Sequence, residues 1–260
     1  MDQREYYRFM GYPAEVLRER YVPYAERFMP GTTVVDIGCG RGEFMEVLRD
    51  RGIDGIGVDA DAGMVEDARA KGFKVVQADG LTYLKEHPLS CEGVFMSHVA
   101  EHLTPETLAA VVQAAARALK PGGRLFLVTP NPHNLLMQLQ DFWIDMQHVR
   151  LYSPHAVHLL FHSAGLEKCE LGVNPLYRLG PDWAVDRLPG LRGAIPAEPP
   201  RTGLRRTVRG ERVPESVLRR LDELEARIDL ISEWVSGLYP PGEYFVTGLR
   251  PEERQAASVD

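Results

Sequence analysis

Two short stretches of this chain gather side chains that can move a proton or hold a cation. In Ser97-His98-Val99-Ala100-Glu101-His102, a helical turn would put His98, Glu101 and His102 (i, i+3, i+4) on one face. Further along, Asp145-Met146-Gln147-His148-Val149-Arg150 adds a third imidazole, His148. A neutral imidazole either accepts a proton or offers its lone pair to a metal. His148 and His98, with Asp145, are therefore the candidate catalytic residues. His98, Glu101, His102 and His148 are the candidate ligands of a divalent metal. Three imidazoles and one carboxylate are softer than an all-oxygen set, so Mn, Co, Fe or Zn suits them as well as Mg. From spacing alone, three roles stay open: metal binding, general-base catalysis, or an acid–histidine pair that only shapes the floor of a ligand site.

A second pattern concerns a ligand rather than a reaction. Residues 34–44 read VVDIGCGRGEF: an apolar strand ending in Asp36, then glycines 38, 40 and 42 leading into a helix. Glycine suits such a loop because the turn is sharp and a ligand must lie against backbone with no Cβ in the way. A second acid, Asp59, ends the next apolar run and can accept both hydroxyls of a ribose. Cys39 reads as a small loop residue.

The elements that must position these groups alternate between strand and helix, the pattern of βαβ units on a parallel sheet. Strands are expected at 33–37, 55–58, 74–77, 93–97, 124–129, 166–172 and 243–249. Helices are expected at 43–51, 62–71, 104–119 and 153–164. Thr104-Pro105-Glu106 and Ser153-Pro154 are helix starts, and Lys120-Pro121-Gly122-Gly123 is a stop. From 174 to about 213 the periodicity breaks down, with arginines at 201, 205, 206, 209 and 212. Residues 214–237 then form an amphipathic helix with Leu221, Leu224, Ile228, Ile231 and Val235 on one stripe.

With these residues in view, the loop D-x-G-C-G-x-G resembles the cofactor loop of class I S-adenosylmethionine-dependent methyltransferases. GIGVDAD (55–61), QADGL (77–81), GVFMSHVAEHL (93–103) and LKPGGRLFLVTPN (119–131) resemble that family's next four segments, in order. The resemblance implies an α/β fold: a Rossmann-like, seven-stranded sheet with helices on both faces and a helical insertion before the last strand. It also implies S-adenosylmethionine as cofactor. Asp59 would then hold the ribose and Asp79 the adenine N6, with Ala60 and Leu81 flanking the ring. Gly38, Cys39, Gly40, Gly80 and Ser97 would line the site. Asp36 would order the loop or bind the amino group through water. Residues 1–30 are expected as an N-terminal helical lid carrying Tyr6, Tyr7, Tyr21 and Tyr24. The expected core is 31–173, the helical insertion 174–241, and the last strand with a polar tail 242–260.

The histidine cluster is similar to the E-x-x-E-H turn that binds a divalent metal in plant small-RNA 2′-O-methyltransferases and recurs in ubiquinone-biosynthesis O-methyltransferases. Here His98 replaces the first glutamate. Phe142, Trp143, Asp145, His148, Arg150 and Tyr152, with Tyr244–Val246, resemble bacterial methyltransferases of polysaccharide and glycolipid synthesis. That resemblance implies an O-methyltransferase whose partner is a sugar-containing small molecule or oligosaccharide. The aromatic pair reads equally as a core anchor for its loop. The alternatives are an aromatic or quinone-like hydroxyl, an RNA 2′-hydroxyl and a non-catalytic scaffold. The aromatic alternative predicts an apolar pocket with little dependence on Asp145 or Arg150. The arginine run reads as a solvated loop or a receiver of phosphate or acidic glycan, and the helical insertion as the seat of substrate selection or a homodimer contact.

Composition bounds these readings. The chain has 260 residues, 44% hydrophobic and 26% charged, and a net charge of −7, which disfavours an enzyme that tracks long nucleic acid. Three scattered cysteines give no disulfide framework, so a cytoplasmic setting is expected. No apolar run approaches the ~20 residues a transmembrane helix needs.

Overall fold

The computed structural model describes residues 13–177 and 237–252, with short pieces between 207 and 227. Helix α1 (Ala14–Ala25) precedes β1 (Thr33–Ile37), α2 (Glu43–Asp50), β2 (Asp54–Asp59), α3 (Ala62–Ala70), β3 (Lys74–Gln77), α4 (Gly80–Glu86) and β4 (Cys91–Ser97). A 3-10 turn (Ala100–His102) leads to α5 (Pro105–Ala118) and β5 (Leu119–Pro130). Next come α6 (Leu135–Leu139), a 3-10 turn (Asp141–Ile144), α7 (Pro154–Ser163), β6 (Glu167–Val173) and finally β7 (Glu243–Leu249). The seven strands make one sheet in the order β3-β2-β1-β4-β5-β7-β6. All neighbours are parallel except β7, which runs antiparallel between β5 and β6. Among the described residues no helix is long and apolar enough to cross a membrane.

Strand periodicity divides the core. Val35, Ile37, Val94, Met96, Leu125, Leu127 and Val246 join the larger cluster with Leu108, Val112, Val157 and Phe161 of α5 and α7. Their alternate neighbours Val34, Phe95, Phe126 and Val128 face Tyr24 of α1 and Phe44, Val47 and Leu48 of α2. Successive side chains of a strand point to opposite faces, so a continuous apolar run serves both. The second face is largely aromatic: Phe44 stacks on Phe95 with centroids 3.7 Å apart, and Tyr24 lies 5.2 Å from Phe126.

Helix caps follow the expected chemistry. Thr104 Oγ1 accepts from Thr107 N at the start of α5, Asp61 Oδ1 from Met64 N at α3 and Asp79 Oδ1 from Thr82 N at α4. Ser153 precedes Pro154 at the start of α7 but makes no side-chain cap bond. The stop at Lys120-Pro121-Gly122-Gly123 needs one correction. Helix α5 ends at Ala118, but β5 already begins at Leu119, which pairs with Cys91; the register then shifts before Gly93 meets Arg124. Proline and glycine here make an irregularity within a strand rather than a separate loop, and Gly122 takes φ +74°.

Within the expected helix 214–237, described residues 215–217, 219–220, 222–224 and 226–227 are helical, and Leu224 is exposed. The rest of its apolar stripe, Arg201–Arg209 of the arginine run, and Tyr6 and Tyr7 lie outside the described residues. Arg212 falls in a two-strand ladder pairing Thr207–Val208 with Glu211–Arg212.

Phe126 is fully buried among four aromatic neighbours, so Phe126→Ala should destabilise the fold by about 3–5 kcal/mol through lost burial and a residual cavity. Urea unfolding followed by circular dichroism measures it; a loss below about 1 kcal/mol would contradict this account of the core.

Candidate active site

Parallel strands leave a crevice where the chain order reverses, and here that point lies between β1 and β4. A cavity of about 840 Å³ opens there, at the carboxyl ends of β1, β2, β4 and β5. Its lining includes Asp36, Gly38, Cys39, Gly40, Asp59, Ala60, Asp79, Gly80 and Ser97 from the sequence-predicted cofactor set. Leu81 is the exception: it does not line the cavity but packs against the larger core cluster. It sits in the first turn of α4, a helix that the motif reading of QADGL passed over, and the turn carries its side chain toward the sheet.

The glycine loop is held by its own acid. Asp59 Oδ2 accepts from Gly40 N (2.9 Å) and Oδ1 from Asp61 N (2.8 Å), while Gly38 N donates to Val58 O (2.8 Å). Gly38 adopts φ +71°, and a Cβ there would fall 2.3 Å from Val99 Cγ2, so neither backbone nor space admits a side chain. Asp36 is buried, and burial, then the nearby Asp59 and Glu43 charges, push its carboxyl well above the usual carboxylate range. The same surroundings raise the Cys39 thiol, burial first and then Asp36 and Asp59, which keeps it protonated and no nucleophile.

The opposite end of the cavity carries the imidazoles. The expected shared helical face does not form. His98 takes φ +54° and the 3-10 turn begins only at Ala100, so His98 is directed away from His102. Its Nδ1 bonds Glu101 Oε1 (3.0 Å) and its Nε2 bonds Glu243 Oε2 (2.9 Å), beside the Arg20 guanidinium. Both ring nitrogens are thus engaged, and His98 does not stand as a metal ligand or a free base. Burial and Arg20 oppose its charge, but the Glu101 and Glu243 carboxylates outweigh them and raise its pKa. Glu243 in turn is held below the usual carboxylate range: burial opposes, and Arg20 and His98 prevail.

His102 and His148 are arranged differently. His148 Nδ1 bonds the Phe142 carbonyl (2.6 Å) and His102 Nδ1 the Gln147 carbonyl (3.3 Å). A carbonyl only accepts, so each Nδ1 carries the hydrogen and each neutral ring keeps its lone pair on Nε2. Burial first lowers the His148 pKa, favouring that neutral form. Glu101 is fully buried, and its Oε2 accepts from Thr129 Oγ1 (3.0 Å). Its carbonyl accepts from Val149 N (2.8 Å), pinning the His148 loop to the β4 turn. One ligand atom from each of Glu101, His102 and His148 lies within 4.8 Å of the others. Two imidazoles with Nδ1–H tied to carbonyls, plus one carboxylate, fit a divalent cation of borderline softness. Asp145 is buried; its Oδ1 accepts from Gln147 N (2.8 Å) and its Oδ2 lies 3.9 Å from His148 Nε2.

Of the residues expected to recognise a sugar, Asp145 and His148 line the cavity, whereas the aromatic pair, Arg150 and Tyr152 do not. Phe142 is fully buried in a small cluster with Met137, Leu151 and Tyr177. Trp143 is largely exposed, with its Nε1 donating to Gln138 O. Arg150 lies over the Tyr152 ring, and Tyr152 donates to Leu103 O. None of the four lines the cavity. Residues that the sequence reading did not single out do line it, among them Arg20, Met137, Ile144 and Tyr177.

Residues 6–171 match the profile of a protein family described as a methyltransferase domain. The chain belongs to the S-adenosylmethionine-dependent methyltransferases. The methyltransferase is 30% identical over 182 residues to the ubiquinone biosynthesis O-methyltransferase of Hahella chejuensis, covering 62% of this chain and 76% of that one. Against the protein of the same name from Xylella fastidiosa it is 32% identical over 127 residues, covering 46% and 51%. It thus spans about half the length of some curated relatives and three quarters of others. A solved S-adenosylmethionine-dependent methyltransferase from Archaeoglobus fulgidus superposes with a TM-score of 0.65 at 25% identity, covering 94% of this chain and 97% of that one. One from Thermotoga maritima shares the fold, with a TM-score of 0.58 at 16% identity and coverage of 95% and 94%.

S-adenosylmethionine is the cofactor of this family, and the donor end of the methyltransferase suits it. Asp36 is a buried acid facing a cavity that would receive an ammonium and a sulfonium. A carboxyl whose folded pKa is raised costs stability once pH climbs above the unfolded value near ~4. Asp36→Asn should therefore raise the thermal midpoint of the ligand-free methyltransferase at pH 7, with the gain vanishing below pH ~4. It should also weaken donor binding by about tenfold, the loss of one charge-assisted bond. Differential scanning fluorimetry and calorimetry read both; a lower midpoint with unchanged affinity would refute the assignment.

Proposed function

We propose that this chain transfers the methyl group of S-adenosylmethionine to a hydroxyl of a small aromatic, quinone-like acceptor. The observation that carries this reading is that His102 and His148, each with Nδ1 tied to a carbonyl, line the same cavity as the apolar Leu17, Leu103, Met137, Ile144 and Leu176. A flat apolar ring with one reactive hydroxyl is matched by such a wall. A sugar brings several hydroxyls that each need a polar partner, and the aromatics and arginine expected to meet them lie elsewhere. The names of the curated relatives support the same acceptor class.

A phenolic hydroxyl with pKa ~10 is a poor nucleophile at neutral pH, so a base must take its proton as it attacks. In this reading the base is His148 Nε2, on a residue that lines the cavity. The oxygen–methyl bond forms as the sulfur–methyl bond breaks. The sulfonium leaves as the neutral thioether S-adenosylhomocysteine, and the proton stays on His148. The geometry of Glu101, His102 and His148 favours a second reading, in which a divalent cation sits among them. Such a cation would lower the pKa of the hydroxyl.

His148→Ala should cut kcat by about 10²–10⁴-fold with donor affinity within about twofold of wild type. Activity that survives chelation but not His148→Ala supports the base; activity lost on chelation and restored by Mn²⁺ or Zn²⁺ supports the cation. In an acceptor panel with labelled donor, catechols should be methylated and monosaccharides not. The reverse result would replace the aromatic acceptor with a sugar.

A further inference from the structure

Away from the cavity, a second pair of imidazoles meets on α7. His158 and His162 stand at i and i+4, with ring centroids 4.7 Å apart and planes at 81°. Neither lines the cavity. His158 is half-buried and His162 exposed, so core packing does not account for their contact.

Residues four apart on a helix are neighbours on one face, and histidines at this spacing can reach a single cation. The helix fixes their separation in advance, so closing the chelate orders little that is not already ordered. His158 Nε2 contacts the Cys169 carbonyl on β6 (3.4 Å). A carbonyl only accepts, so Nε2 carries the hydrogen and the lone pair stands on Nδ1. An imidazole tied to a carbonyl through one nitrogen, with the other available, is the usual state of a metal ligand. His162 lies in the last turn of α7, where the partial negative charge of the helix end favours a cation. Between Ser153 and Leu166 the chain carries no lysine or arginine to oppose one. The adjoining strand β6 adds two exposed acids, Glu167 and Glu170, against one exposed lysine, Lys168.

We propose that His158 and His162 form a surface chelate for a divalent cation of the borderline class. Cu²⁺ binds it most tightly, Zn²⁺ and Ni²⁺ less so, with water filling the remaining positions. Imidazole suits these three ions, whereas Mg²⁺ and Ca²⁺ take oxygen ligands and are passed over. Mn²⁺ stands lowest in the affinity order for such ligands, so it leaves the pair empty at concentrations where Cu²⁺ fills it. The site lies apart from donor and acceptor and does not depend on which acceptor the cavity takes.

The test is calorimetric titration of the chelator-stripped, full-length chain with Cu²⁺, beside three variants. His162→Ala removes one ligand. His162→Ala with Ser163→His keeps eight histidines but moves one ring about 100° around the helix. His102→Ala marks what the cavity cluster contributes. The wild type and His102→Ala should both show the α7 site. The two variants at position 162 should bind Cu²⁺ there at least about tenfold more weakly, since even an outer partner of a metal ligand is worth that much. Methyl transfer by His162→Ala should stay at the wild-type rate. Unchanged Cu²⁺ binding in His162→Ala overturns the proposal, as does full binding in the variant with the displaced histidine, which would mark non-specific uptake. Loss of all Cu²⁺ binding in His102→Ala would assign the metal to the cavity instead. A wild-type chain that takes up no Cu²⁺ overturns the chelate whatever the variants do.

Discussion

Two fully buried carboxylates, Glu101 and Glu243, cannot be left without counter-charge in the interior, and His98 stands between them to answer both. Much of the local architecture follows from that requirement. His98 accepts a left-handed backbone to reach two acids at once, which moves it out of line with His102. Arg20 is drawn in from α1 to complete the charge balance on Glu243. Glu101, held by His98 and Thr129, presents its carbonyl to Val149 and so fixes the loop that carries His148. The network joins α1, the β4 turn, β5, β7 and the loop that carries His148, and a deletion at any one member leaves a buried charge elsewhere.

The cavity is also rich in ionisable groups: Asp36, Glu43, Asp59, Asp61, Asp79, Asp141 and Asp145 line it together with Arg20 and three imidazoles. Methyl transfer removes the positive charge on sulfur, so the acidic wall holds the reactant better than the product. The difference eases release of the product rather than lowering the barrier, since only interactions stronger in the transition state accelerate the step.

How much of this the residues announced depends on how local the cause is. The strands at 33–37, 74–77 and 243–249 were legible to the residue because β-branched and aromatic runs between turn residues have few alternatives. The glycine loop and its acids were legible because strand, turn and helix constraints coincide within a dozen positions. Helix α4 was missed although Asp79 is a standard N-cap, since QADGL was read wholly as a ligand segment. The fate of His98 was beyond reach: its partner Glu243 lies 145 positions away, and spacing in a short run carries no news of it. Phe142 and Trp143 show the same limit, since in a 3-10 turn adjacent aromatics split between core and solvent, and periodicity does not tell which goes where. Arg20, in AEVLRERYVPYA, looks like any helical surface arginine; only assembly buries it.

The place of β7 in the sheet has a consequence for biosynthesis. Every glycine-loop motif is complete by residue 131, yet β7 wedges between β5 and β6 and brings Glu243 more than a hundred positions later. During synthesis the glycine-loop motifs are therefore complete before the acid that pairs with Arg20 and with Nε2 of His98 has been made. A chain cut short of β7 lacks both the strand that joins β5 to β6 and the carboxylate that balances the buried Arg20 charge.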